Sequence, residues 1–192
     1  MIGSWTSSGD RQQQGLGQQG YQAGIDDSEL MEDFFLSLRA MVRTLRGRRI
    51  AMLGLSADRQ TAGSIDSAAL SMAQRILDAG STVVAYDARL GAHAAMVLSH
   101  PRFACTDDPY EAMNGADAIV VMTDCTVSRN LDLVAAKHRV RRPILADAGP
   151  FLSAAAVRAA GFQYTAPGAT CCREVISLPA TLPPGVHSAL AS

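Results

Sequence analysis

Lysine is almost missing from this chain. Lys137 is the only one, so nearly all of the 17 basic residues are arginine. No charge excess exists either: 18 acidic residues leave a net charge of -1 at pH 7. A surface for nucleic acid or anionic lipid wants a clustered basic excess, and this balance gives no case for one. Cys105, Cys125, Cys171 and Cys172 form no CxxC or Cys/His pattern. The adjacent pair would strain its own backbone if bonded, so buried thiols in a reducing compartment are expected. No apolar run approaches the roughly 18 residues that span a bilayer, and residues 1–24 lack the apolar core of a signal peptide. A cytoplasmic protein without membrane or nucleic-acid partners is the expectation. Neither GxSxG nor a Ser-His-Asp order occurs. His93, His100, His138 and His187 stand apart from Asp, Glu and Cys at metal-ligand spacing, so neither catalytic residues nor a metal is expected.

What is present is a globular chain of 192 residues, 48% hydrophobic, enough for one domain with appendages. Residues 1–25, rich in Gly, Gln and Ser, read as a disordered tail, and 169–192, with Pro179, Pro183 and Pro184, as an irregular one. Between them, 26–46 reads as an amphipathic helix. Asp26 and Glu29 suit a capping box, and Gly47 suits its end. Leu30, Phe34, Leu38, Met41, Val42 and Leu45 fall on one stripe, which must dock on the domain or on another subunit.

From Gly47 to Gly168 the pattern is strand then helix, repeated. Strands are expected at 49–55, 82–86, 102–106, 118–122, 143–146 and 162–165. Helices are expected at 64–79, 90–98, 109–114 and 130–138, with another capped by Ser153. Such alternation predicts an α/β fold, a Rossmann-like three-layer doubly wound parallel sheet of five to six strands, preceded by the amphipathic helix.

In such sheets ligands sit outside the carboxyl ends of the strands. The run Arg49 to Leu55 is a central strand feeding the first loop, where Leu55, Ser56, Asp58, Arg59 and Thr61 are candidates for nucleotide binding. Backbone N–H groups opening the next helix could face a phosphate. The loop has Gly54 alone where a dinucleotide fingerprint has three glycines, and Asp58 where an anion favours a cation. Asp87 ends the second strand, where a carboxylate can take a ribose hydroxyl, although aspartate also simply starts turns there. Thr123, Asp124 and Asp147 complete the same rim. Cys105 and Cys125 have no local base that would make them nucleophiles.

The run from about Leu45 to Gly168 resembles the C-terminal, UDP-binding domain of the UDP-glucose/GDP-mannose dehydrogenases. The matching segments are 45–55, Thr61, 66–70, 80–87, 110–112, 115–118, Thr123-Asp124, Leu131-Asp132, Asp147 and 161–164. The resemblance implies a nucleotide or nucleotide-sugar ligand, a polysaccharide context, and a dimer through the helix at 26–46. It also implies what is missing, namely the family's NAD-binding domain and nucleophilic cysteine. Hydride transfer needs a bound nicotinamide, so NAD is expected only with a partner domain and no cofactor for this chain alone.

Several family positions are altered. Ala57-Asp58 replaces a Phe-Lys pair, Ala62-Gly63 an acidic pair, Ile65 an arginine, and Asp147-Ala148-Gly149 an Asp-Gly-Arg. Replacing Lys by Asp reverses a term of about 4 kcal/mol at 4 Å and an effective dielectric of 20, before solvent screening. Micromolar affinity is only about 8 kcal/mol. Arg59 or Arg89 has taken over, or pyrophosphate binding has decayed. The leading expectation is a stand-alone, non-catalytic homologue that binds a nucleotide sugar weakly or serves a partner dehydrogenase subunit. The alternatives are a structural or regulatory oligomerisation protein without ligand, and a rebuilt loop that takes another anion.

Overall fold

The computed structural model describes residues 27–56, 65–88, 91–124, 126–149 and 151–167. The expected tails therefore fall outside the described residues, as do Asp58, Arg59, Thr61, Arg89, Cys125, Cys171 and Cys172. Thirteen elements follow in chain order among the described residues. They are α1 (Asp27–Val42), β1 (Arg49–Leu53), α2 (Ser67–Asp78), β2 (Thr82–Tyr86), α3 (Gly91–Leu98), β3 (Phe103–Thr106) and α4 (Pro109–Met113). Then come β4 (Ala118–Val121), α5 (Thr126–Arg129), α6 (Leu133–Arg139), β5 (Ile144–Asp147), α7 (Ala154–Ala159) and β6 (Gln163–Thr165).

The six strands form one parallel sheet in the order β3-β2-β1-β4-β5-β6. Strand order reverses between β1 and β4, the place where doubly wound folds open a crevice. Apolar runs suit these strands because both faces are covered. Ile50, Met52, Val83, Ala85, Val120 and Ala146 pack with α1, α2 and α3 on one face. Ala51, Leu53, Val84, Ile119, Val121 and Leu145 pack with α4, α6 and α7 on the other. The three-layer α/β expectation holds.

Helix α1 resolves the choice posed by its stripe. Phe34, Leu38, Val42 and Leu45 are buried in the chain's own core, with Met31 and Met41 packed at its margin. Full burial contributes about 1.5–3 kcal/mol for each such side chain. The crossover helices α2 and α3 leave the sheet uncovered on this side beyond β4, and α1 lies there against β5 and β6. Leu30 is half-buried, and Leu36, on the outward side, is 47% exposed.

Several boundaries differ from expectation. Helix α1 stops at Val42 rather than at Gly47, because Arg43 turns left-handed at φ 68°. Strand β1 ends at Leu53, since Gly54 turns the chain at φ +85°. The helix expected at 130–138 is α6, which starts only at Leu133 because Asp132 caps it, its carboxylate accepting from the N–H groups of Val134 and Ala135 at 2.9 and 3.0 Å, and the short helix α5 ahead of it was not expected.

Candidate nucleotide site at the carboxyl rim

One row of residues crosses the sheet just below the rim: Thr106, Tyr86, Leu53, Val121 and Asp147 are paired in register. The chain above this row builds the crevice. Gly54 donates its N–H to Tyr86 O at 3.0 Å and passes against Thr123. A Cβ at position 54 would lie 2.0 Å from Thr123 Oγ1, so only glycine fits there. β1 and β4 thus approach closely where the strand order switches.

Asp87 holds the first turn of the loop in place. Its Oδ2 accepts from the N–H groups of Leu55 and Ser56 at 3.1 and 2.9 Å, and from Ser56 Oγ at 2.5 Å. This carboxylate, 8% exposed, is engaged with the β1 loop. Ser56 then pairs with Ile65 in an antiparallel bridge, and Asp66 donates its N–H to Leu55 O at 2.8 Å. The loop that carries Asp58, Arg59 and Thr61 is therefore closed at its base, between two pinned ends.

The start of the next helix is not where the sequence placed it. α2 begins at Ser67 with Asp66 as its cap, not at Ser64. Asp66 Oδ1 accepts from the N–H groups of Ala68 and Ala69 at 2.7 and 3.2 Å. These groups were the expected phosphate donors, and the chain's own carboxylate takes them. The signal was legible, since an aspartate ahead of Ser-Ala-Ala is a capping pattern.

Thr123 is buried and Asp124 exposed beyond β4. Arg129 of α5 clasps Asp124 through two of its guanidinium nitrogens, Nε at 2.6 Å and Nη2 alongside. Asp147 is fully buried at the end of β5. It accepts from the N–H groups of Gly149 and Leu152 at 3.4 and 3.0 Å and from the Tyr164 hydroxyl at 3.1 Å. Burial raises its pKa despite these bonds. The Tyr164 hydroxyl is raised too, by burial and then by the Asp147 charge. The partnership of Asp147 with Tyr164 was missed from sequence, because 17 residues separate them and only the β5–β6 pairing joins them.

Cys105 is the one described cysteine, and it is not activated. The Cys105 thiol is pushed up to about 11, first by burial and then by the Asp87 charge, so it stays protonated at neutral pH. Among the described residues no group of three or more His, Cys, Asp or Glu could hold a metal ion. No helix among them is long and apolar enough to cross a membrane.

Residues 51–154 match the family described as UDP-glucose/GDP-mannose dehydrogenase family, UDP binding domain. The chain belongs to this family. It is similar to the UDP-glucose 6-dehydrogenase of Rhizobium meliloti (strain 1021), 34% identical over 124 residues, which cover 65% of the chain and 28% of that protein. The enzyme of the same name from Rattus norvegicus is 26% identical over 136 residues, 64% of the chain and 28% of the relative. The chain thus spans little more than a quarter of the length of these curated relatives. Among solved structures, an NDP-N-acetyl-D-galactosaminuronic acid dehydrogenase from Methanosarcina mazei Go1 superposes with a TM-score of 0.60 at 21% identity. That match covers 79% of this chain and 34% of that one. A UDP-glucose dehydrogenase from Pyrobaculum islandicum gives 0.53 at 21% identity, covering 62% and 26%. Both structural likenesses establish the fold. The family's matched segment takes in every described rim residue of the candidate site, from Leu55 to Asp147.

Proposed function

We propose that this chain acts as a uridine-nucleotide or nucleotide-sugar-binding lobe that holds its ligand weakly and performs no chemistry alone. The observation that carries this reading is the coincidence of the family's UDP-binding segment, residues 51–154, with the β1–β4 switch point and its Gly54–Thr123 contact. Ligand contacts fall to the loop between Ser56 and Ile65 and to the Thr123–Asp124 end of β4. On this reading NAD and a nucleophile come from a partner dehydrogenase domain or subunit, in cytoplasmic synthesis of polysaccharide precursors. The homodimer expected through 26–46 would use the outward side of α1, since its apolar stripe is closed within the chain.

A second reading, a structural or regulatory protein without ligand, is favoured by a specific observation. Asp66, Asp87, Asp124 and Asp147 are all engaged by the chain's own donors. Thermal-shift and calorimetric titrations with UDP, UDP-glucose, UDP-glucuronate and NAD separate the two. A melting shift with a uridine ligand supports the binding lobe. Silence at millimolar concentration of all four ligands selects the structural protein.

A further inference from the structure

The charges of this fold are sorted along the strand axis. Every helix crossing back over a parallel sheet starts at the carboxyl rim, where aspartates cap it, and ends at the amino edge, where cations suit the dipole. Asp66, Asp108 and Asp132 cap α2, α4 and α6 at the rim. Among the described arginine and lysine side chains only Arg129 stands there, and it is clasped to Asp124. The others gather at the amino edge, in the last turns of α1, α2, α6 and α7 and just ahead of β1, β3 and β5. Among the described residues this sorting favours an anion at the end opposite the rim, while Arg59 and Arg89 of the rim loops lie outside them.

A cavity of about 510 Å³ opens at that edge, between the ends of α1 and α2. Arg39, Arg43, Arg46 and Arg75 line it, over a wall that includes Phe35, Leu45 and Ala79. Its one acid, Asp78, accepts from Gln74 Nε2 at 2.8 Å. Arg75 is used by the fold: it pairs with Glu32 and lies 4.5 Å over the Phe35 ring. Arg39, Arg43 and Arg46 are exposed and have no ion pair among the described residues.

Helix capping does not account for these three. Arg142 Nη1 takes Val42 O at 3.1 Å at the end of α1, and Arg102 Nη2 takes Leu77 O at 2.9 Å at the end of α2. Ser81 Oγ takes Leu45 O at 2.5 Å. The carbonyls that attract cations are thus partly served by other side chains. Arg43, moreover, occupies the left-handed position after a helix, φ 68°, where glycine is the residue without strain. Arg46 is steadied by its stem against Gly80, where a Cβ would come within 3.1 Å of Cγ.

We propose that this amino-edge cavity is a second ligand site, for a small polyanion of the diphosphate or triphosphate class. Guanidinium forks suit phosphate oxygens through paired, charge-assisted hydrogen bonds. The volume, within the usual range for small-molecule pockets, and the gathering of four arginines around it suit a compact anion. The site is independent of the rim and of the reading given above for it.

Calorimetric titration of the full chain with inorganic pyrophosphate tests this. Saturable heat is expected, weakened roughly ten-fold by Arg46→Glu and also by Arg43→Gly. The second substitution relieves the left-handed strain, so it removes the guanidinium without harming the fold. Heat that survives both substitutions, or none at millimolar pyrophosphate, overturns the proposal. UDP separates this site from the rim. Heat from UDP that Arg46→Glu abolishes would place UDP in this cavity and sink the rim reading alone.

Discussion

Gly54 and Thr123 meet at the switch point so closely that a Cβ on the glycine would lie 2.0 Å from the threonine Oγ1 and 3.1 Å from its Cβ. Gly54→Ala should therefore destabilise the fold by about 2–4 kcal/mol, combining the left-handed backbone with a rigid overlap. Thr123→Ala in the same chain should recover the steric part and leave the backbone part. Urea unfolding of the four-member cycle reads the coupling. Additive effects would show that the contact is not made.

The fold was legible where local patterns carry it. Strand β2 fell where its apolar run predicted, because a fully covered strand leaves little choice of register or face. Ser153 capped α7 as expected, accepting from Ala156 N–H at 3.4 Å. What was not legible depended on approach between distant segments. A carboxylate at a strand end reads the same whether it awaits a ribose or, like Asp87, grips the loop of a neighbouring strand. The end of α1 was misread because an arginine takes the left-handed turn that glycine usually supplies. Proline, glycine and charge patterns also hid the sorting of arginines to one end, which appears only when the helices are laid antiparallel to the strands.

Asp87 should prove a structural residue. Asp87→Ala leaves the buried Leu55 N–H without its acceptor and loosens Ser56, at a cost of about 2–4 kcal/mol. Hydrogen exchange should rise at residues 55 and 56. A variant as stable as the parent, with unchanged exchange, would restore Asp87 to a ligand role.

Asp147 predicts a pH signature with a definite sign. Its folded pKa lies above the unfolded value, near 3.9, so the folded state holds the proton more tightly. Its contribution is present below the unfolded pKa and is lost as pH rises through the folded one. Asp147→Asn should remove that decline from the stability profile over the same window. An identical profile in the variant would contradict the assignment. Tyr164→Phe, by removing one donor to Asp147, should shift the window upward.

Helix α1 acts first as a cover for the sheet. Leu38→Ala should lower stability by about 2–5 kcal/mol, as for any large buried aliphatic side chain. Leu36→Glu should leave stability within about 0.5 kcal/mol and convert the proposed dimer to monomers in sedimentation. A dimer that survives Leu36→Glu would remove the outward side of α1 from the interface.

The central claim is that the rim binds a uridine nucleotide weakly, with Asp58 opposing it. Titration of UDP into the parent chain and into Asp58→Lys tests this most directly. The account predicts weak, saturable heat from the parent. It also predicts affinity at least about ten-fold tighter in the variant, where an opposing charge becomes a favourable one. No heat from UDP in either protein, or equal affinity in both, would contradict it.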